Sequence, residues 1–356
     1  MPKREAPSRG AFRSRAHQRG TGCLILRLTL ARIAGAPRAA RFLNFSRGMT
    51  TVLLVGSPST NAGWSQIERR GCTVVEHDDA GGLDVGTVAT SARRWGVDVV
   101  LPTSLEAMLA VRGAAALFVG AGARVACASA SALRDCVDTW AFYARCRRAA
   151  LRPRTCVVEA QTPLDDWKFP AVLKPRYQHC NRAPMLVTRR VPGSAFADAD
   201  AMLLQSWIEG DDIWVDVVAD ARGRIVASVP WESYDEGGEA RVRTSHDVDV
   251  LRTAGRVVRA LGLTYASSIR LRRGHDGRLY LLAGKPGLSP WSLSHASNGP
   301  NLAKLVVDVA MERTVPISAA VFRTHDRPRR QADGLQAWRA SVQPRLVCGP
   351  GGLRTR

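Results

Sequence analysis

The pattern of apolar segments changes near residue 150, and this change limits the folds that the chain can adopt. Before that point, short β-branched runs such as "TVLLV" (51–55) and "VDVVLP" (97–102) alternate with helical segments that end at glycine. Repeated strand–helix units of this kind predict right-handed crossovers on a parallel sheet. We therefore expect residues 49–135 to form a small Rossmann-like α/β domain.

After residue 150 the apolar segments follow one another as strands. "FPAVLKPRY", "DIWVDVVAD" and "RLYLLAG" are strand-like, and several such segments alternate between apolar and polar residues with turns between them. Helical segments interrupt this series at about 247–261 and 300–312. The pattern predicts a second, α+β domain with antiparallel sheet over residues 136–322.

The formal net charge of +20 is concentrated at the two ends of the chain. Residues 1–48 carry eleven Lys and Arg against one Glu, residues 323–356 carry eight Arg against two Asp, and the part between them is left with +4. A basic nucleic-acid-binding face on the folded part is therefore not supported, and a nucleic-acid tether built from the tails is only a remote alternative.

We interpret 1–48 as a disordered or mis-assigned extension before a natural start at Met49, with a mitochondrial-type presequence as the alternative. Residues 323–356 are interpreted as a basic C-terminal tail.

The cysteines and the apolar segments indicate the compartment. The eight cysteines form no C-x-x-C pair and have no histidine at ligand spacing, which argues against a structural zinc site and a disulfide framework. The apolar segment 23–35 is interrupted by Arg27 and Arg32 and is too short to span a bilayer. We expect a cytoplasmic protein without a membrane anchor.

Six segments of the second half resemble, in their order, the ATP-grasp superfamily, in particular its carbamoyl-phosphate-synthase-like and carboxylate–amine ligase branch. The resemblance covers about residues 51–312 and implies a Rossmann-like pre-ATP-grasp domain followed by a two-part ATP-grasp fold, with the nucleotide cleft between antiparallel sheets. The segments are "FPAVLKP", "LLQSWIEGDDIWVDV", "GRIVASVPWE", "LGLTYASSIRLRR", "DGRLYLLAGKPGLS" and "GPNLAKLVVDVA".

The residues that would hold ATP follow from these segments. Lys174 leaves an apolar strand just before Pro175, a position suited to neutralising phosphate charge. An extended hinge segment at Trp207 and Ile208 offers apolar walls and backbone hydrogen bonds for adenine. The resemblance implies that Asp212 binds the ribose hydroxyls. The residues predicted to bind the cofactor are Lys174, Arg176, Arg182, Gln205, Trp207, Ile208 and Asp212.

The positions at which the family holds Mg²⁺ have lost their ligands. Where the resemblance implies acid or amide side chains, this chain has Arg270, Ala283 and Lys285. Mg²⁺ requires hard oxygen ligands, which these side chains do not offer. The phosphate loop has also lost its glycines, since it reads "KPRYQHCNRA" here. We expect no metal site at these positions.

Two classes of function remain open. By resemblance, the protein would bind ATP and activate a small carboxylate as an acyl phosphate for ligation to an amine, a reaction that cations assist. The loss of metal ligands instead favours a non-catalytic pseudoenzyme that keeps the fold as a nucleotide- or partner-binding module. No catalytic residue and no substrate can be assigned from the sequence.

Overall fold

The structure is a computed structural model of the chain, and it describes most of residues 49–315. Arg182 and almost all of both basic ends lie outside the described residues, and the predictions made for them remain predictions. The described residues are 49–78, 82–159, 167–178, 183–189, 202–236, 239–294, 301–315 and 345–346.

The first sheet is parallel, as the strand–helix alternation predicts. Its four strands lie in the order β2-β1-β3-β4, and every residue of β1 and β3 is buried, which is typical of strands covered on both faces. The strands are β1 (Thr50–Val55), β2 (Cys72–His77), β3 (Val99–Pro102) and β4 (Arg124–Val125), and the helices between them are α1 (Pro58–Asn61), a 3₁₀ helix (Ser65–Arg70), α2 (Val85–Arg94), α3 (Leu105–Gly113) and α4 (Ala115–Gly120).

Two short helices, α5 (Ala130–Val137) and α6 (Thr139–Arg145), follow this sheet. The carboxylate of Asp138 caps α6 by accepting hydrogen bonds from the backbone N–H groups of Trp140 and Ala141. This cap fixes the start of α6, whose Phe142 and Tyr143 are almost completely buried.

The second sheet combines five strands in the order β14-β7-β6-β8-β5. Pairs β6·β7, β6·β8 and β5·β8 are antiparallel, whereas β14 pairs parallel to β7. Lys174 therefore lies on the central strand of this sheet, beside the strand that carries Gln205. The strands are β5 (Thr155–Val158), β6 (Ala171–Pro175), β7 (Met185–Val187), β8 (Met202–Ser206) and β14 (Arg345–Leu346).

The third sheet is fully antiparallel, in the order β11-β10-β9-β12-β13. Successive residues of a strand point to opposite faces: Val215 and Ile269 belong to the main hydrophobic core with helix α7, which leaves Trp214 and Arg270 on the other face. The strands are β9 (Gly210–Ala219), β10 (Ile225–Glu236), β11 (Glu239–Thr244), β12 (Tyr265–Gly274) and β13 (Leu279–Pro286), and the helices are α7 (Val248–Leu261), α8 (Pro290–Ser294) and α9 (Leu302–Ala310).

The mixed architecture confirms the predicted fold class, with a parallel α/β part followed by antiparallel sheets. The exact domain boundaries at residues 135 and 322 stay a prediction. In the part of the chain that the structure describes, no helix is long and apolar enough to cross a membrane.

Gly210, the first residue of β9, provides a test of this architecture. Its φ is +144°, and a Cβ added there would lie 1.9 Å from the carbonyl oxygen of Arg273 on β12. We expect Gly210→Ala to lower the free energy of unfolding by about 3 kcal/mol, because both the backbone strain and the clash with backbone must be relieved. Chemical denaturation measures this change.

Gly113 supplies the matched control. It ends α3, and a Cβ added there meets no atom within 4 Å. Gly113→Ala should leave the stability within about 1 kcal/mol of the parent or raise it. Equal effects of the two substitutions would contradict the packing of β9 against β12.

Candidate functional site

Lys174 lies at the centre of a hydrogen-bonded group that joins strands β6 and β8 to helix α6. Its Nζ atom is 3.1 Å from Gln205 Oε1 and 3.2 Å from Tyr143 Oη, and it lies 5.2 Å from the centre of the Tyr143 ring. Gln205 Nε2 in turn donates to Tyr143 Oη at 2.7 Å and to Thr155 Oγ1 at 3.0 Å. Predicted residues Lys174 and Gln205 are therefore brought together.

Tyr143 extends this group to the third sheet. Its hydroxyl donates to the carbonyl oxygen of Leu282 on β13 at 2.7 Å. Gln178 makes a second connection, because its Nε2 donates to the carbonyl oxygen of Gly284 at 3.3 Å. The second and third sheets are therefore bridged here, and we refer to the region between Lys174 on one side and strands β12 and β13 on the other as the cleft.

Three charged residues form a second network on the wall made by β9 and β12. Asp212 lies opposite Arg272 in the ladder, and its carboxylate accepts from Arg272 Nε at 2.8 Å and from Arg270 Nη2 at 2.5 Å. All three side chains are nearly buried, with exposed fractions of 9–14%. Burial alone would raise the pKa of Asp212, but the charges of Arg270 and Arg272 outweigh it and hold that pKa below its usual range.

The predicted hinge is in contact with this second network. The Arg272 guanidinium lies 4.6 Å above the centre of the Trp207 ring, and its Nη1 donates to the carbonyl oxygen of Ile208 at 2.9 Å. Arg272 therefore covers one face of the aromatic ring and uses a backbone acceptor of the hinge. The role of Trp207, Ile208 and Asp212 in holding adenine and ribose stays a prediction, and each of them already has a partner within the protein.

The cleft carries an excess of positive charge. Arg270 lies opposite Ala283 in the β12·β13 ladder, and Lys285 is two residues further along β13. Arg270 and Arg272 share the Asp212 carboxylate, and the charge of Arg270 also acts on Lys174 and Lys285. Among the described residues, none accepts a hydrogen bond from Arg270 Nε, although this atom is buried.

The pKa values of the two lysines reflect this surplus. Lys174 is half-buried, whereas the side chain of Lys285 is exposed. Burial, and secondarily the charge of Arg270, lowers the pKa of Lys174 to about 7, and surrounding protein atoms together with Arg270 also lower the pKa of Lys285. A site that disfavours its own cations in this way is suited to an anionic ligand.

The remaining predicted residues are placed differently. Arg176 does not join the group around Lys174, because its guanidinium makes two hydrogen bonds to the Asp138 carboxylate, at 2.6 Å and 2.9 Å. Arg182 lies outside the described residues. Sequence reasoning did not identify Tyr143 or Thr155, and no motif marks them, since both contribute through distances that only the folded chain creates.

The residues present do not fit Mg²⁺. The positions at which the sequence resemblance predicts metal ligands carry a guanidinium, a methyl group and an ammonium, and none of these is a hard oxygen ligand. No cluster of three or more His, Cys, Asp or Glu side chains with metal-binding geometry occurs in the described part of the chain. Of the nearby carboxylates, Asp216 is buried and accepts from Ser289 and Ser292, and Glu232 pairs with Arg243.

Comparison with known proteins agrees with this fold. No protein-family model and no curated protein sequence matches the chain. Among solved structures, N5-carboxyaminoimidazole synthetase from Staphylococcus aureus is similar with a TM-score of 0.60 at 9% identity, over 77% of this chain and 81% of that chain.

Two further structures show the same similarity. L-amino acid ligase from Bacillus licheniformis has a TM-score of 0.59 at 14% identity, over 75% of each chain. Biotin carboxylase from Campylobacter jejuni, solved as a complex with β-γ-ATP, has a TM-score of 0.60 at 13% identity, over 76% of this chain and 73% of that chain. Identities this low establish the fold alone, and the chain has the ATP-grasp fold.

The enclosed ammonium of Lys174 should cost stability. Its pKa is about 7 in the folded protein against a usual 10.5, so between these pH values the unfolded chain binds a proton that the folded chain does not. The contribution of Lys174 to the free energy of unfolding therefore rises as the pH increases from 7 to 10.5, and it is lowest at and below pH 7.

We expect Lys174→Met to remove this pH dependence. Relative to wild type, the variant should be most stable near pH 7, and its advantage should shrink as the pH approaches 10.5. Denaturant titrations at a series of pH values measure the difference. Parallel stability curves for the two proteins would show that the Lys174 pKa is not lowered by folding.

Proposed function

We propose that the cleft of this ATP-grasp fold is a metal-independent binding site for nucleotide phosphates, and that the protein is a non-catalytic binding module. The proposal is supported by the cations near Lys174: Arg270 influences both Lys174 and Lys285, and Lys285 follows two residues after the partner of Arg270 on β13. The sequence resemblance implies oxygen ligands at the positions of Arg270 and Lys285, and that correspondence stays part of the proposal. Phosphate oxygens would supply the negative charge that this cleft lacks.

The cations support binding better than they support catalysis. A guanidinium or an ammonium offsets phosphate charge through hydrogen bonds, which suffices to hold a ligand. Phosphoryl transfer makes a further demand, because in this chemistry a metal ion bridges the β- and γ-oxygens and neutralises developing charge. None of the described residues at these positions can perform that bridging role.

The ATP-dependent ligase is the second candidate. The ATP-grasp fold and the placement of Lys174 beside Gln205 favour it, and it would require a carboxylate and an amine that the geometry does not identify. It predicts phosphate release from ATP that depends on Mg²⁺. Cytoplasmic location is part of both candidates and stays a prediction.

Calorimetric titration with ATP separates the two candidates. In the presence of a chelator the wild-type protein should bind ATP, and added Mg²⁺ should leave the affinity unchanged or weaken it, because Mg²⁺ neutralises the phosphate charge that the cations recognise. Lys174→Ala should weaken binding about tenfold or more, the loss expected for a charge-assisted hydrogen bond.

Lys304→Ala is the matched control, because Lys304 lies on α9 and pairs with Asp308. It should bind ATP as the wild type does. Binding that strengthens markedly with Mg²⁺, or phosphate release with any carboxylate–amine pair, would overturn the proposal and favour the ligase.

The hinge gives a separate prediction about the nucleoside. Because Arg272 covers Trp207 and occupies the Ile208 carbonyl, adenine must compete with a side chain. In wild type, inorganic triphosphate should therefore compete for the site nearly as well as ATP does. Arg272→Leu should free the hinge and raise the preference for ATP over triphosphate by roughly tenfold, the equivalent of about 1.4 kcal/mol.

Arg273→Leu controls for charge removal on the same strand. Arg273 is adjacent in β12 but pairs with Asp247 instead of Asp212. This variant should keep the wild-type ratio of ATP to triphosphate affinity. If Arg272→Leu also keeps that ratio, Arg272 does not obstruct the nucleoside.

A further inference from the structure

Lysine is rare in this chain, and two of its few lysines lie in the cleft. Of the 51 cationic Lys and Arg residues only five are lysines, at positions 3, 168, 174, 285 and 304. Two of these five lie in the cleft. Arginine is never deprotonated in proteins, whereas a lysine amine can lose its proton and become a nucleophile. The cleft thus contains the side-chain chemistry that the rest of the chain rarely uses.

Hydrogen bonding around Lys174 is complete when its amine is neutral. A neutral amine has two N–H groups and one lone pair, and Nζ has two acceptors, Gln205 Oε1 and Tyr143 Oη. Tyr143 Oη also accepts from Gln205 and donates to the Leu282 carbonyl. None of these bonds requires a third proton on Nζ, and no third partner for Nζ occurs among the residues that the structure describes.

The surroundings of Lys174 favour an anion attached to it. Arg270 on β12 lies close enough for its charge to act on both Lys174 and Tyr143. Asp212 is already held by Arg270 and Arg272, and Asp216 by Ser289 and Ser292. Conversion of the neutral amine into an anionic group would therefore create an attraction to Arg270.

We propose that Lys174 is a site of reversible carbamylation by carbon dioxide. The neutral amine uses its lone pair to form an N–C bond to CO₂, and the electron pair of one C=O bond moves to oxygen. One amine proton passes to water, which leaves Lys174 as an N-carboxylate. No oxidant, reductant or further co-reactant is needed.

Two properties of the site support this step. Enclosure and the charge of Arg270 lower the pKa of Lys174 to about 7, so a large share of the amine is neutral at physiological pH. The product carries a negative charge that Arg270 can stabilise. An imine formed with an aldehyde would be equally accessible to a neutral amine but would gain nothing from this cation.

The experiment exposes the full-length, nucleotide-free protein to ¹³C-labelled bicarbonate at neutral pH. Carbon-13 NMR should show a carbamate resonance distinct from those of bicarbonate and CO₂. Trapping with a trialkyloxonium salt followed by peptide mass spectrometry should place the ester on Lys174. Lys174→Arg should lose the signal, Lys304→Arg should keep it, and Arg270→Gln should reduce it severalfold.

The outcomes decide the proposal independently of nucleotide binding, because no nucleotide is present. A folded wild-type protein without a carbamate on Lys174, or with equal trapping on Lys174 and Lys304, would overturn it. Site mapping on the wild type remains decisive even if Lys174→Arg fails to fold. If ATP binds the same cleft, excess ATP should suppress the carbamate signal. If a carbamate forms and ATP does not affect it, the result contradicts the proposed nucleotide binding and leaves the carbamylation proposal supported.

Discussion

The hydroxyl of Tyr143 joins the second sheet of this protein to the third. It accepts from Lys174 and Gln205 on one side of the cleft and donates to the Leu282 carbonyl on the other. Tyr143 is almost completely buried, so removal of the hydroxyl would leave polar groups without partners, and each such group costs about 1–3 kcal/mol. The Asp138 cap sets the position of α6 and therefore of this hydroxyl.

The same arrangement explains the shortage of negative charge around Lys174. Lys174 is held close to Arg270 by a framework that supplies no carboxylate to Lys174 among the described residues, and Asp212 is already engaged by Arg270 and Arg272. Burying cations without a counter-charge is unfavourable, which appears here as the lowered pKa of Lys174. Under the proposed function, phosphate would supply the missing counter-charge, which would link the cost in stability to binding.

The sequence predicted the order and type of most elements because their signals are local. Apolar runs followed by glycine indicated the parallel sheet, and the helix expected at about 247–261 is α7, Val248–Leu261. The hairpin formed by β11 and the second half of β10 was not predicted, because "WESYDEGGEARVRT" is rich in charged residues. Its pairing is set by cross-strand contacts such as Glu232 with Arg243. Propensity alone is a weak guide for such strands.

The site was predictable only in part, for a similar reason. Lys174 and Gln205 could be found because each lies in a recognisable strand segment. The hydrogen bond from Tyr143 to Leu282 spans 139 residues, and the engagement of Arg176 by Asp138 spans 38. Pairings of this kind depend on the folded chain, so sequence reasoning did not foresee the partner of Arg176 and omitted Tyr143. The predicted contact of Arg176 with a nucleotide stays a prediction.

The central claim is that fixed cations stand where the family uses Mg²⁺, and reversing the substitution tests it most directly. The triple variant Arg270→Gln, Ala283→Glu, Lys285→Asn returns oxygen ligands to three positions that are neighbours across β12 and β13. ATP affinity should be measured by calorimetry for this variant and for wild type, with chelator and with Mg²⁺. The account predicts that Mg²⁺ strengthens ATP binding to the variant and does not strengthen binding to wild type. Strong Mg²⁺ dependence in the wild-type protein would contradict it.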